Sequence, residues 1–509
     1  MKRIVLLVQV ALLSVASLQA QVEDDWSKEV KNSQRDVFQE FKDFEKQVKT
    51  EFEDFRRQAN DEFARFMEEA WKTFNVMEAE DIPWQPKPLV PLEHEGPVTN
   101  SLIEYDVVEE SPMERMPAYE LDPRAGMEAN LPAQPEPMQP IVPVFESDVS
   151  VQSLVLYGSS FPVKLENMEK ERRPKLKNTS ERSVARFWRK LSCPYYDNVV
   201  AECLKQRKER SLCDWAYVNF TGKMANKYFE PDSNEAVVLQ MYLLTQSGYQ
   251  MRIARADDKL TLLIGSDEKI YRYKYFIMDD VQFYILDRSL QNKSLDVFDH
   301  AFPGEKSLSL AVFQPDFNVI KTEKRTLKAK RYPSLSVTVE TNRNLIDFYN
   351  DYPLSSNWDY YSKASLSNVL KTSLMPVLRE AIDGKSELEA TDMILDFVQM
   401  AFQYKTDEEQ FGYERPLYPD ETFYYPYSDC EDRSILFSCL VRELLGLDVV
   451  LLKYPNHLAT AVHFNEQVEG CHLIVDDKVY VICDPTCRYG EVGYCGKDYK
   501  NLKPTIVKI

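Results

Sequence analysis

The strongest constraint on the fold is a capped helix near the C-terminal end of the chain. Ser428 and Glu431 have the S-x-x-E spacing of a capping box, and an apolar run follows them until Gly446. A helix here places Cys430 in its first turn, where backbone N–H groups have no helical partner. Cys439 lies on the opposite face of this helix and is predicted to pack in the core.

Strand-like segments follow this helix. The sequence "LDVVLLKYPNHLATAVHF" predicts a strand, a turn at Pro455 and Asn456, and a second strand that His457 opens. The sequence "CHLIVDDKVYVICDPT" predicts a hairpin that ends at Asp484. The order is therefore a cysteine on a helix, a histidine at the start of a strand and an aspartate at the end of a later strand.

Three of these segments carry a resemblance to a known family. "DCEDRSILFSCLVRELLGL", "NHLATAV" and "CDPT" together resemble the transglutaminase-like superfamily of papain-type thiol enzymes, and they are closest to its exported, mostly uncharacterised bacterial members. The resemblance implies an α+β fold in which a helix packs on an antiparallel sheet. It also implies that Cys430 is the nucleophile, that His457 is the base and acid, and that Asp484 orients the imidazole, without a cofactor.

These residue types suit acyl transfer at an amide bond of a peptide or protein. An imidazole can take the thiol proton and later protonate the leaving amine. A carboxylate on the other ring nitrogen fixes the tautomer, and the Cys430 N–H can face a developing oxyanion. Peptidase-like or amidase-like hydrolysis is favoured over transamidation, because transfer needs a dedicated amine site. The alternative is a non-catalytic binding or scaffold protein.

Each candidate residue also has a structural interpretation. Cys430 can be a small buried residue, and Asp484 can close a turn before Pro485. His463 and His472 compete with His457 for the role of base. A zinc site matches no usual ligand spacing, and no metal is expected; its ligands would be drawn from His463, Cys471, His472, Cys483 and Cys487.

The acidic surroundings of Cys430 are unusual for a reactive thiol. Thiolates are normally activated beside positive charge, whereas Asp429, Glu431 and Asp432 surround this cysteine. Acids are favourable at a helix N-terminus, so these carboxylates are interpreted as serving the helix.

The N-terminal segment predicts export. Residues 1–20 combine Lys2 and Arg3 with an apolar run and a small residue at Ala20, which is typical of a signal peptide. The apolar run is short for a transmembrane span. A periplasmic or extracellular location is therefore expected, and the nine cysteines can be oxidised there. A bridge between Cys487 and Cys495 is one candidate, but the sequence leaves the connectivity open.

Residues 22–78 predict one long amphipathic helix. Phenylalanines recur at an 11-residue spacing, which gives a nearly straight apolar stripe or a weak right-handed coiled coil. The first row of the stripe is Phe41, Phe52, Phe63 and Phe74, and the second row is Phe44, Phe55 and Phe66. Self-association or a partner helix is favoured over a lipid surface, and docking on the chain's own domain is the alternative. The net charge of −20 argues against general nucleic-acid binding.

The remaining sequence predicts a linker and three further segments. Proline-rich residues 79–148 are expected to be extended or disordered, with at most a docked stretch. Residues 149–300 repeat the helix–strand–hairpin pattern and predict a degenerate transglutaminase-like copy, although an unrelated α+β domain fits equally. Residues 301–345 predict a small β module, and 346–509 the transglutaminase-like domain.

The predicted duplication aligns Gly248 with Gly446 and Asp287 with Asp484. Asp232 and Lys259 then stand at the cysteine and histidine positions. Neither residue can perform thiol chemistry, so the middle copy is expected to be inert.

Overall fold

A computed structural model describes most of the chain after residue 49. The described residues are 50–84, 87–109, 134–141, 143, 149–167, 169–312 and 315–509. The chain divides into two compact units, residues 1–59 and 60–509. The predicted signal peptide and residues 22–49 of the predicted helix lie outside the described residues. No helix in the described part is long and apolar enough to cross a membrane.

The described residues combine helices with mainly antiparallel sheets, which agrees with the predicted α+β class. The α-helices, named α1 to α12 in chain order, are residues 50–67, Glu181–Leu191, Pro194–Glu209, Asp214–Tyr228, Asn234–Gln246, Arg343–Asp351, Trp358–Lys363, Asn368–Ile382, Glu387–Ala401, Asp407–Phe411, Pro419–Tyr424 and Cys430–Leu445. The strands, named β1 to β19, are Lys72–Asn75, Ser101–Leu102, Val108–Glu109, Val149–Leu156, Ser159–Glu166, Met251–Ala256, Lys259–Ser266, Tyr275–Met278, Val281–Ile285, Ser294–Phe298, Arg325–Lys328, Ser336–Val339, Gln403–Tyr404, Tyr427–Ser428, Asp448–Tyr454, His457–His463, Cys471–Val475, Lys478–Cys483 and Thr505–Lys508.

The phenylalanine-rich helix ends earlier than predicted. Residues 50–67 are helical, and the chain then forms β1 instead of continuing as a helix to residue 78. β1 pairs antiparallel with β10, with Phe74 opposite Leu295. Both strands belong to the six-stranded sheet β1-β10-β6-β7-β9-β8, called the middle sheet below. The edge of this sheet therefore satisfies backbone groups that a longer helix would have satisfied internally.

Two rows of the phenylalanine stripe have different surroundings. Phe63 is 2% exposed, and its ring centroid lies 5.0 Å from that of Trp188 and 4.9 Å from that of Phe298. Phe66, in the second row, is 43% exposed, and its ring stacks on that of His300 with centroids 4.5 Å apart. Phe63 therefore packs against the chain's own domain, which is the alternative given from the sequence. Self-association through residues 22–78 stays a prediction.

The C-terminal sheet supports the helix that carries Cys430. Its seven strands have the order β2-β17-β18-β16-β15-β19-β3. α12 buries Leu436, Phe437 and Leu440 in a core that includes strand residues, and each such side chain contributes about 1.5–3 kcal/mol through burial. The predicted helix end at Gly446 is confirmed by its left-handed φ of 68°, and Cys439 packs in this core as predicted.

The middle sheet repeats part of this arrangement. It contains the order β6-β7-β9-β8, and the C-terminal sheet contains β15-β16-β18-β17 in the same relative order. The preceding helices are each followed within two residues by a glycine with positive φ, Gly248 and Gly446. The tight hairpin turns also use paired aspartates with positive φ: Asp279, Asp280, Asp476 and Asp477. The duplication stays a prediction, and this shared order is the observation in its favour.

Residues 87–109 of the proline-rich segment are docked on the C-terminal region, whereas Gln134 and Glu136 contact the middle region through Asp214 and Arg207. β2 and β3 pair in parallel with β17 and β19, at opposite edges. Ahead of β2 in the chain, the segment also pairs with Arg488. The Arg488 N–H donates to the Leu92 carbonyl at 2.7 Å, and the His94 N–H donates to the Arg488 carbonyl at 3.0 Å. The prediction of an extended conformation holds for these strands, but docking is more extensive than expected because the sheet edges offer unpaired backbone groups.

The predicted β module of residues 301–345 is smaller than expected. β11 and β12 form a two-stranded antiparallel hairpin. Leu327 and Val337 from this hairpin lie in the same core as Leu374 on α8 and Leu395 on α9. The hairpin therefore belongs to the core of the C-terminal region.

Candidate active site

Cys430 is the first residue of α12. The N-cap is Asp429, whose backbone N–H donates to Asp432 Oδ2 at 3.2 Å. The predicted cap at Ser428 is wrong, because the Ser428 hydroxyl instead accepts a hydrogen bond from Arg433 Nε at 3.2 Å. The first backbone N–H groups of this helix, including that of Cys430, have no partner one turn earlier.

Strands β16 and β18 bring the predicted histidine and aspartate together. They are antiparallel, with Thr460 opposite Cys483, so the start of β16 lies beside the end of β18. His457 Nε2 lies 2.9 Å from Asp484 Oδ2. The other carboxylate oxygen, Oδ1, accepts the Thr486 N–H at 2.9 Å. The orientation of the Asp484 carboxylate is therefore set from both sides.

The histidine–aspartate pair is buried and leaves one ring nitrogen uncommitted. Burial raises the pKa of Asp484, but the charge and hydrogen bond of His457 outweigh burial, and this pKa lies below its usual value. His457 Nδ1 is buried and has no hydrogen-bond partner within the described chain. An imidazole held by a carboxylate at Nε2 offers Nδ1 for proton transfer.

One cavity brings the thiol and the imidazole together. Cys430 and His457 both line a space of about 240 Å³. Leu458, next to His457, lines the same space and shares a small apolar cluster with Cys430 and Leu451. The three predicted site residues are thus collected at one end of the sheet, Cys430 and His457 across a cavity and Asp484 behind the imidazole.

The Cys430 thiol is held in its neutral form. Its Sγ donates to Glu431 Oε2 at 3.2 Å. Burial raises the thiol pKa well above its usual value, and the charges of Glu431 and Asp429 raise it further, whereas Lys87 lowers it. The acids that surround Cys430 in the sequence therefore do more than serve the helix, because they also keep the sulfur protonated.

An ammonium group from the proline-rich segment lies among these acids. Lys87 Nζ is 2.6 Å from Glu414 Oε2, 2.9 Å from Asp429 Oδ2 and 3.3 Å from Asp407 Oδ2. It also contacts Glu431. Burial lowers the pKa of Lys87, but the charges of Glu431, Asp429 and Asp407 outweigh burial and hold this pKa well above its usual value.

Two carboxylates of this cluster, those of Asp407 and Asp429, have raised pKa values. Burial raises the pKa of Asp429 to about 7, and the neighbouring charge of Glu431 adds to the effect, whereas Lys87 opposes it. Burial and the charge of Asp429 also raise the pKa of Asp407 well above its usual value. Ligand oxygens of Asp407, Asp429 and Glu431 lie within 4.8 Å of one another, so the cluster has room for one small cation, and the Lys87 ammonium is placed there.

The competing histidines lie elsewhere. His463 Nδ1 is 2.9 Å from the Val479 carbonyl, and His472 Nδ1 is 2.9 Å from the Gly470 carbonyl. Neither residue lines the cavity that contains Cys430. His457 is therefore the histidine that shares a cavity with the thiol.

Sequence reasoning missed Lys87, Asp407 and Glu414. The available signal was weak: a single lysine stands between prolines in "QPKPLVP", and acids are dense on both sides of Cys430. Asp407 begins α10 and Glu414 lies in the loop after it. No spacing rule connects these positions with a lysine more than three hundred residues earlier in the chain, as the Lys87–Asp407 separation of 320 shows.

A second cavity lies at the corresponding place on the middle sheet. Its volume is about 770 Å³, and its lining includes Asp232, Lys259 and Asp287. Lys259 Nζ lies 2.7 Å from Asp287 Oδ2. The sequence aligned Asp232, Lys259 and Asp287 with Cys430, His457 and Asp484. These three residues line one cavity.

No protein-family model, no curated protein and no solved structure matches the chain significantly.

Proposed function

We propose that the protein is an exported thiol enzyme of the transglutaminase-like superfamily that transfers an acyl group from an amide bond. The observation that carries this proposal is the buried His457–Asp484 pair beside a cavity shared with Cys430. The placement of Cys430 at a helix N-terminus packed on an antiparallel sheet supports the same assignment. Hydrolysis is favoured over transamidation.

The first step is activation of the thiol. The sulfur turns from Glu431 toward the uncommitted Nδ1 of His457, and its proton passes to that nitrogen. Asp484 stabilises the resulting imidazolium through its hydrogen bond at Nε2. The thiolate is then formed only when a substrate displaces the resting contact, which suits a cysteine whose pKa is otherwise raised.

Bond exchange follows at the amide carbonyl. The sulfur electron pair forms an S–C bond, and the carbonyl π electrons move to oxygen, which the Cys430 N–H can stabilise. The C–N bond then breaks, and the amine leaves with the proton from His457. Water, deprotonated by the neutral imidazole, attacks the thioester and releases the acid and the thiol.

The decisive test is whether the reactivity of Cys430 depends on His457. We expect His457→Gln to lower the alkylation rate of Cys430 by iodoacetamide by about tenfold or more at neutral pH, because a lost general base typically changes rates by that order. His463→Gln, on the same strand, is the matched control and should leave the rate unchanged. Equal rates in the natural chain and His457→Gln would remove the base from the proposal.

Turnover is tested with unfolded casein as a generic amide donor. Release of ammonia reports side-chain amide hydrolysis, and new amino termini report peptide-bond hydrolysis. Both products should disappear in Cys430→Ala and persist in Cys439→Ala, since Cys439 packs in the core. Product formation that survives Cys430→Ala would contradict a thiol mechanism.

The second candidate is a non-catalytic binding or scaffold protein. The larger middle cavity with its Lys259–Asp287 pair favours this function, because it retains the shape of a site without a nucleophile. This candidate predicts that His457→Gln changes the alkylation rate of Cys430 no more than it changes the alkylation rate of Cys439. The alkylation series therefore separates the two functions.

A further inference from the structure

The acidic cluster beside Cys430 contains more negative charge than its helix needs. Two of its members, Asp429 and Glu431, flank Cys430 in sequence, but Asp407 and Glu414 come from a separate segment and converge on the same point. Like charges at this distance repel in a poorly solvated environment. A cation among the four carboxylates relieves this repulsion, and Lys87 Nζ lies there.

The cation is supplied by Lys87, which precedes the part of the proline-rich segment that packs on the C-terminal sheet from Leu92 onward. The Lys87 side chain is 7% exposed. Ile82, Pro83 and Lys87 line the same cavity as Cys430 and His457. Further along this segment, the Pro88 carbonyl accepts a hydrogen bond from Tyr404 Oη at 2.7 Å. The segment therefore covers the space that a substrate would need in order to reach the thiol.

An unsatisfied atom indicates that the pocket can accept more than it receives. Asp429 is fully buried, and its Oδ1 has no hydrogen-bond partner within the described chain. Its Oδ2 already contacts Lys87 Nζ and accepts the Asp407 N–H at 3.2 Å. A primary ammonium has three N–H donors, which matches a pocket of converging carboxylate oxygens.

We propose that the four carboxylates form a pocket for a primary ammonium group and that Lys87 fills this pocket in cis, so that Ile82, Pro83 and Lys87 keep the Cys430 cavity closed until they are displaced. The occupant is the Lys87 ammonium of this chain itself, so the filled pocket offers no place for an amine acceptor and hydrolysis stays the favoured reaction. The proposal deepens the proposed function, on which its regulatory meaning rests.

Access to Cys430 is measured separately from thiol chemistry with two probes of equal reactivity. N-ethylmaleimide is small, and a polyethylene-glycol maleimide is bulky. The ratio of their rates at Cys430 cancels the thiolate fraction, so it reports access alone. Lys87→Ala should raise the bulky-to-small ratio by about tenfold or more, the order expected when charge-assisted hydrogen bonds are lost.

Matched variants make the ratio interpretable. Lys497→Ala removes an exposed ion pair with Glu95 of the same segment, at 3.1 Å, and should leave the ratio unchanged. If Lys87→Ala fails to fold, Tyr404→Phe carries the test, because it removes the bond to Pro88 and leaves all four carboxylates in place. An unchanged ratio in the folded anchor variants would overturn the proposal.

The pocket itself is tested by chemical rescue. Methylammonium chloride should raise the melting temperature of Lys87→Ala more than tetramethylammonium chloride does, because only methylammonium has N–H donors. Equal effects of the two salts would overturn an ammonium pocket. His457→Gln should slow both maleimides and leave their ratio unchanged, so failure of the catalytic proposal and failure of the closed-cavity proposal give different results.

Discussion

Lys259 and Asp287 form an ion pair on the middle sheet at the place where His457 and Asp484 form a hydrogen bond on the C-terminal sheet. The Lys259 Nζ to Asp287 Oδ2 distance is 2.7 Å, and the His457 Nε2 to Asp484 Oδ2 distance is 2.9 Å. The Lys259 side chain is 51% exposed, whereas the His457 side chain is fully buried. Similar strand geometry therefore supports a solvated pair in one sheet and a desolvated pair in the other.

This difference predicts unequal effects of removing each carboxylate charge. Asp484→Asn should lower the free energy of unfolding by about 2–4 kcal/mol, because it breaks a buried pair that also accepts backbone N–H groups. Asp287→Asn should lower it by less than about 1 kcal/mol, as expected of a solvated ion pair. Urea denaturation measures both, and equal losses would contradict the proposed difference in burial.

The thiol of Cys430 should respond to the charge of Glu431. Burial is the largest cause of the raised pKa of Cys430, and the charge of Glu431 is the second largest. Glu431→Gln should therefore lower the midpoint of the pH dependence of Cys430 alkylation by a small probe. Glu443→Gln, near the other end of α12, should not move this midpoint. A midpoint that rises in Glu431→Gln would show that the carboxylate acts on the thiol in another way.

A disulfide is predicted between Cys471 and Cys495 when the protein is oxidised. A hydrogen bond from Cys495 lowers the pKa of Cys471 to about 6, and Cys471 N–H donates to the Gly493 carbonyl at 2.9 Å, which holds the two segments together. An oxidant of the compartment would take two electrons and two protons from the pair. Peptide mapping without reduction checks the linkage. A Cys487–Cys495 bridge, the candidate from sequence, would contradict this prediction.

Glu268 should make stability depend on pH. Burial raises its pKa from 4.5 to about 7, while its Oε2 accepts the Leu310 N–H at 3.2 Å. The folded state therefore binds a proton at Glu268 more tightly than the unfolded state does, so the contribution of Glu268 to stability is full below about pH 4.5 and falls as pH rises toward about 7, by on the order of 3 kcal/mol. Glu268→Gln should flatten this part of the profile.

Thermal unfolding at several pH values measures the effect of Glu268. Glu230→Gln is the matched control, because Glu230 has an 85% exposed side chain. The natural chain and Glu230→Gln should lose stability in parallel over this range. A Glu268→Gln profile with the same slope would show that other buried acids dominate.

The two rows of the phenylalanine stripe should differ in their contribution to stability. Phe63→Ala should lower the free energy of unfolding by about 3–5 kcal/mol, because it opens a cavity against Trp188 and Phe298. Phe66→Ala should lower it by less than about 1 kcal/mol, because Phe66 is largely exposed. Chemical denaturation compares them, and similar losses would contradict the deeper burial of the first row.

Local patterns in the sequence determined much of the C-terminal domain. Apolar periodicity and the glycine stop placed α12 and its end at Gly446, and the strand pattern placed His457 and Asp484 at the ends of β16 and β18. These features depend on neighbouring residues, so a pattern within one segment is sufficient to predict them. The identity of the cap was wrong by one position, because Asp429 and Ser428 compete for the same role and tertiary contacts of Ser428 decided between them.

Only the tertiary structure decided what surrounds the thiol. The position of Lys87 among Asp407, Glu414, Asp429 and Glu431 depends on contacts between distant parts of the chain. The end of α1 and the docking of the proline-rich strands depend in the same way on sheet edges formed later in the chain. Periodicity describes which face of an element is apolar, but it contains no information about which distant charge or strand edge that element will meet.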